Sequence, residues 1–186
     1  SKKVDGSTRQ QKELIDGQQR LTTSILLIIS IIRKYEELLS SGTLSKDDVE
    51  IIKSRIAKLE EKYINYNDEI NRKPLTVHKL VLSLADKDFF EGILNNRVVT
   101  PTRDSHDKIK KANQLLGNFV KEKLDQCAVD TEKIDMLAKI EHALQSNCTV
   151  IFMDCDSRDS AYKLFQVLND RGAGLNEGDL LKSKTL

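Results

Sequence analysis

The chain has 186 residues, 39% of them hydrophobic and 32% charged, and Lys+Arg 30 set against Asp+Glu 29 leaves a formal charge of +1. That length suits one domain, or one domain with a helical extension, and the balanced charge excludes the global basic field of a general nucleic-acid binder while leaving room for local patches. Two Pro, eight Gly and no Trp argue against a many-turned all-β protein, so the expected class is mainly α with a small β component (α+β). The three cysteines, Cys127, Cys148 and Cys155, form no C-x-x-C pair. They are expected to be reduced and mostly structural in a cytoplasmic protein. His78, His106 and His142 stand too far apart to suggest a metal site.

In chain order, Ser1 to Gln10 reads as a polar arm or loop, and Glu13 to Ile15 as a weak strand. A first helix is expected from about Thr22 to Leu39, with Gly42 past its end. The run Leu21 to Ile32 is too short to cross a bilayer and is bracketed by Arg20 and Arg33, so it reads as a buried helix around which the rest packs. Ser45 with Asp48 resembles a capping box, and Val49, Ile52, Ile56, Leu59 and Tyr63 form a seam facing helix one or helix four. Asn65 to Pro74 reads as a polar connection, and Leu75 to Leu84 as a short strand and helical turn. A short helix over Asp86 to Leu94 and a loop from Asn95 to Asp104 follow. Ser105 is expected to cap a helix carrying Ile109, Ala112, Leu116, Phe119 and Val120, and Thr131 one carrying Ile134, Leu137, Ile140 and Leu144. Cys148 to Asp154 is the most strand-like stretch, apolar and β-branched as in strands buried on both faces. Ser157 or Asp159 then starts a helix ending near Gly172, and a last helix carries Asp179 to Lys182.

Two polar clusters stand out against this background. The first, L-I-D-G-Q-Q-R-L-T-T over Leu14 to Thr23, gathers Asp16, Gly17, Gln18, Gln19 and Arg20 just before the apolar helix. A turn there, made possible by Gly17, places an acid, two amides and a guanidinium at a helix N-terminus. Free backbone N–H groups and the helix dipole favour an anion at such an end, and phosphate is the obvious one. Held between an apolar strand and an apolar helix, Asp16 and Arg20 are expected to be partly buried and therefore paired. The second cluster, F-Q-V-L-N-D-R-G-A-G-L-N-E-G-D-L-L-K over Phe165 to Lys182, contains Asn169, Asp170, Arg171, Asp179 and Lys182. By spacing alone it reads equally as a well-capped turn between helices.

Taken together, I-D-G-Q-Q-R-L-T-T and F-x-x-L-N-D-R-G-x-x-L-x-x-x-D-L-L-K resemble the N-terminal domain of GmrSD-type modification-dependent restriction systems, the bacterial D-G-Q-Q-R family. R-K-P-L at Arg72 to Leu75 and the strand-like stretch before helix six also fall where such proteins have them. The resemblance implies a ParB/sulfiredoxin-like core with large helical additions. On that reading, residues 1–186 form a single, truncated D-G-Q-Q-R domain with 43–147 as a helical insertion or subdomain. It lacks both the Tyr-, Arg- and Trp-bearing segment that family members carry upstream and a downstream HNH-type nuclease domain.

The resemblance further implies an NTP-binding and hydrolysing module, with GTP one candidate and Mg²⁺ as cofactor, that regulates DNA cleavage by a nuclease domain or subunit in a phage-defence system. Asp16, Gln18, Gln19 and Arg20 become the catalytic candidates, with Gly17, Arg20, Asn169, Asp170, Arg171, Asp179 and Lys182 as nucleotide-binding ones. Arg20 would bind phosphate oxygens or stabilise transition-state charge, Asp16 would orient water or hold Mg²⁺, and Gln18 or Gln19 would place the attacking water. The Asn169 to Lys182 residues either complete that pocket or frame the turn. Two other readings compete: a recognition module for modified DNA, with Lys108, Lys110 and Lys111 as one basic patch, and a non-catalytic helical scaffold that pairs chains as a homo-oligomer. A membrane partner is not expected.

Overall fold

The computed structural model describes residues 2–3, 10–70 and 73–169, with side chains over 12–67 and 76–167. Among them run β1 (Lys2–Lys3), β2 (Gln10–Gln11), α1 (Gln18–Ser40), α2 (Lys46–Leu59), a π-helical turn (Glu60–Ile64), β3 (Asn65–Ile70), β4 (Lys73–His78), α3 (Lys87–Leu94), α4 (Asp104–Leu124), α5 (Asp130–Asn147) and α6 (Arg158–Asn169). The protein is mainly helical with a small antiparallel β component, as its composition indicates.

α1 is the axis of the fold. Leu26, Ile28, Ile31 and Tyr35 are buried on it, together with Ile25, Ile29, Ile32 and Leu38. α4, α2 and α5 pack against it, since a helix apolar on nearly every side can exclude water only with neighbours all round. Its hydroxyl residues are tolerated because each turns back onto its own helix. Ser30 Oγ donates to the Leu26 carbonyl at 2.9 Å and Thr22 Oγ1 to that of Gln18 at 2.8 Å. Gly42, with φ at +71°, carries the chain away from the helix end.

α2 begins as its sequence suggests: the Ser45 hydroxyl accepts the Asp48 N–H at 3.1 Å. Its seam is used within the monomer, with Ile52 and Leu59 buried and Ile56 and Tyr63 packed on the core. α4 and α5 each start two residues earlier than expected, after Arg103 and Val129, and neither Ser105 nor Thr131 is the cap. Ser105 instead reaches Asp86 at the start of α3, Oγ donating to Oδ1 at 2.5 Å. There the buried His106 ring stacks on Phe89, centroids 4.2 Å apart, and its Nδ1 accepts the Thr102 N–H at 3.3 Å. At the other end of the helix, Phe119 is more exposed than its stripe predicts. α6 follows Ser157, whose hydroxyl accepts the Ser160 N–H at 3.2 Å.

The β structure departs from expectation. Lys2–Lys3 pairs with Gln10–Gln11 in what reads as a loop, while Glu13 to Ile15 forms no strand. The supposed polar connection after Asn65 is half of a hairpin, in register from Asn65 opposite His78 to Ile70 opposite Lys73. Polar side chains conceal a strand whose pairing is made by the backbone. The reverse holds for Cys148 to Asp154, which joins no ladder among the described residues and leaves Val150, Ile151, Phe152 and Met153 exposed. Side chains tie this stretch down instead: Lys12 pairs with Asp154, and Arg158 grips Glu13 through two bonds of 2.6 and 2.8 Å. β-propensity forms a strand only where a neighbour offers a free edge.

Candidate functional site

Gly17 stands immediately before α1 with φ at +87°, a backbone conformation that glycine adopts freely. The helix therefore starts at Gln18, about a turn earlier than the sequence suggests, and Gln18, Gln19 and Arg20 form its first turn. Leu21 N–H reaches the Gly17 carbonyl at 2.9 Å, and the three amides ahead of it have no carbonyl within the helix. Among the described residues no side chain caps this end, and no acidic residue lies in the first turn. A helix end left in this way is an electropositive set of donors open to an anion.

The motif's side chains are arranged around that end. Arg20 Nη2 donates to Asp16 Oδ2 at 2.6 Å, an exposed pair with Arg20 77% and Asp16 56% accessible. The expectation that they are partly buried is thus incorrect. Among the described residues no sheet includes Glu13 and Leu14 ahead of the turn, and the buried face of α1 begins at Thr22. Gln18 Nε2 donates to the Leu14 carbonyl at 3.0 Å, which holds that amide across the turn. Gln19 is exposed and its side chain has no partner among the described residues. Thr23 Oγ1 donates to the Gln19 carbonyl at 2.8 Å and Ser24 Oγ to that of Arg20 at 3.0 Å, stiffening the first turn.

Of the second cluster, Asn169 ends α6, while Asp170, Arg171, Asp179 and Lys182 lie outside the described residues. The Lys12–Asp154 and Glu13–Arg158 pairs nevertheless bring the start of α6 to the residues just ahead of Asp16. Those contacts join the segments that precede the two motifs.

A third polar cluster escapes sequence reasoning. Glu141, on the inner face of α5, accepts the Tyr35 hydroxyl at 2.7 Å and Arg55 Nη1 at 3.0 Å. Tyr35 is fully buried and the Glu141 side chain only 8% exposed. Burial first, then the bond to Glu141, holds the Tyr35 phenol far above the ordinary tyrosine pKa. The sequence signal is an acid at the next core position after Ile134 and Leu137 and before Leu144, where an apolar residue is due.

The family model for the GmrSD restriction endonuclease N-terminal domain matches residues 2–186, essentially the whole chain. The chain belongs to this family. It is therefore a component of a restriction system of the GmrSD type, acting in defence against foreign DNA. No curated protein matches the chain. Among the described residues, no helix is long and apolar enough to cross a membrane.

Proposed function

We propose that the Asp16–Arg20 turn is the phosphate-handling part of a nucleotide-binding and hydrolysing site, through which this GmrSD-type domain regulates a nuclease domain or subunit. The observation that carries this reading is the uncapped N-terminus of α1, free of acidic residues in its first turn and flanked by an exposed guanidinium. The donor set suits a triphosphate. Backbone N–H groups and Arg20 offer hydrogen bonds to its oxygens. Asp16 supplies one carboxylate beside them, enough for a Mg²⁺ ion that takes its other ligands from phosphate and water. Bound there, Mg²⁺ would neutralise charge on the phosphate oxygens.

In the hydrolytic step, water attacks the terminal phosphorus, the bond to the bridging oxygen breaks, and the products are nucleoside diphosphate and inorganic phosphate. Arg20 stabilises the charge on the transferring group and exchanges its Asp16 partner for phosphate oxygens. Gln18 is held by the Leu14 carbonyl, so Gln19 is the amide free to orient the water.

Melting of the chain with ATP or GTP, each with and without Mg²⁺, tests the reading. A ligand at a hundred times its Kd stabilises by about 2.7 kcal/mol. Arg20→Ala and Asp16→Ala should abolish that gain while unliganded melting stays near wild type. Unchanged nucleotide affinity in both folded variants would refute the proposal.

A further inference from the structure

Far from the turn, a crevice of about 1010 Å³ opens between α2, the π-helical turn, the end of β4 and α5. Arg55, Lys58, Lys62 and Lys79 line it, with Glu50 and Glu61 among its other charged residues and Glu141 in its wall. The three lysines differ from Lys34, Lys87 and Lys133, each of which pairs with an acid on its own helix. Neither Lys58, Lys62 nor Lys79 forms an ion pair with a carboxylate among the described residues.

Two of them are nevertheless held in place. Lys79 Nζ donates to the Lys62 carbonyl at 2.9 Å and lies over the Tyr66 ring, 4.6 Å from its centroid. Lys62 Nζ donates to Gln145 Oε1 at 3.3 Å and lies 5.1 Å from the centre of the Tyr63 ring. Holding ammonium groups with neutral partners keeps their full charge available and reduces the entropy lost when they meet an anion. Arg55 is fixed through Glu141, and its buried Nε has no hydrogen-bond partner among the described residues. Such an unmet donor is costly where water is excluded.

We propose that this crevice is a contact surface for the phosphate backbone of duplex DNA, formed by Lys58, Lys62 and Lys79. Its volume lies at the upper limit of small-molecule pockets, and its three lysines come from α2, the π-helical turn and the end of β4, a spread that suits successive phosphates better than one small anion. Arg20 and Tyr35, the latter beside the crevice wall, are separated along α1 by roughly 22 Å at 1.5 Å per residue. DNA on the crevice and nucleotide at the turn can therefore be bound together, and the proposal does not rest on the nucleotide reading.

The test is fluorescence anisotropy of a labelled duplex with the intact chain across a salt series, comparing wild type with the triple variant Lys58→Gln, Lys62→Gln, Lys79→Gln. A control variant, Lys108→Gln, Lys110→Gln, Lys111→Gln, removes the same charge from the exposed face of α4. Wild type should bind with a steep salt dependence. The crevice variant should lose about tenfold or more in affinity and about two to three in the log–log salt slope, and the control should lose far less. Absence of duplex binding by wild type, or equal loss in the two variants, would overturn the proposal. Pyrophosphate binding lost in the crevice variant without any duplex binding would also overturn it, by making small phosphates the ligand. Lys58→Glu alone, at an exposed side chain, should weaken duplex binding in the same direction. It guards against misfolding of the triple variant.

Discussion

Two acid–arginine pairs of similar geometry divide the molecule. Asp16–Arg20 closes at 2.6 Å in water, whereas Glu141–Arg55 closes at 3.0 Å with the Glu141 side chain 8% and the Arg55 side chain 36% exposed. Desolvation makes the difference. The outer pair contributes little to stability and can be exchanged for a ligand's oxygens at small cost. The inner pair, with Tyr35 completing it, cannot be broken without leaving polar groups unmet inside the protein. One cluster is available for binding, and the other ties α1, α2 and α5 together.

The largest expected effect is on the inner cluster. Glu141→Ala should destabilise by about 3 kcal/mol, toward the low end for a buried pair because Arg55 reaches solvent. The melting temperature should fall by roughly 6–12 °C. A loss no greater than that of a typical surface substitution would mean that the cluster is not structural.

Tyr35→Phe should cost about 1–2 kcal/mol by leaving Glu141 one donor short, as measured by denaturant unfolding. It should also change the alkaline limb of stability. The folded phenol has a raised pKa, so its contribution is fully present below the unfolded value of 10.0. Above that pH the unfolded chain gives up its proton while the fold retains it, and stability should decline by up to about 1.4 kcal/mol per pH unit. The wild-type-minus-Tyr35→Phe difference in unfolding free energy should therefore shrink as pH rises above this point. A difference independent of pH would contradict the assignment.

At the outer cluster, Gly17→Ala meets no steric obstacle but must hold an alanine at positive φ. About 1 kcal/mol of stability should be lost for backbone reasons alone. Asp16→Ala and Arg20→Ala should each change unliganded stability by less than about 0.5 kcal/mol. Effects on melting as large as that of Glu141→Ala would erase the distinction between the two regions.

The contrast also shows which features could be read from the chain. The apolar run of α1, with Ser30 alone interrupting it between Ile25 and Ile32, announces a central helix, because that pattern leaves no polar face to turn toward water. The capping pattern of Ser45 and Asp48, and the stripe of α5 apart from Glu141, are equally local signals. The start of α1 is not, since Gln18 and Gln19 are as compatible with a loop as with a first turn until Gly17 sets the backbone direction. Nor does sequence separate the hairpin partners Asn65–Ile70 and Lys73–His78 from a polar linker, or reveal that the β-branched Cys148 to Asp154 stretch joins no ladder among the described residues.

By itself the sequence determined the family, the central helix and the chemistry gathered in the D-G-Q-Q-R motif, all of which are written in short-range order. Tertiary structure alone decided that Asp16 and Arg20 face solvent, that Glu141 meets Arg55 and Tyr35, and that three lysines line one crevice. Burial and charge pairing depend on which elements come to lie beside one another, and residues far apart along the chain share those environments only after it has packed.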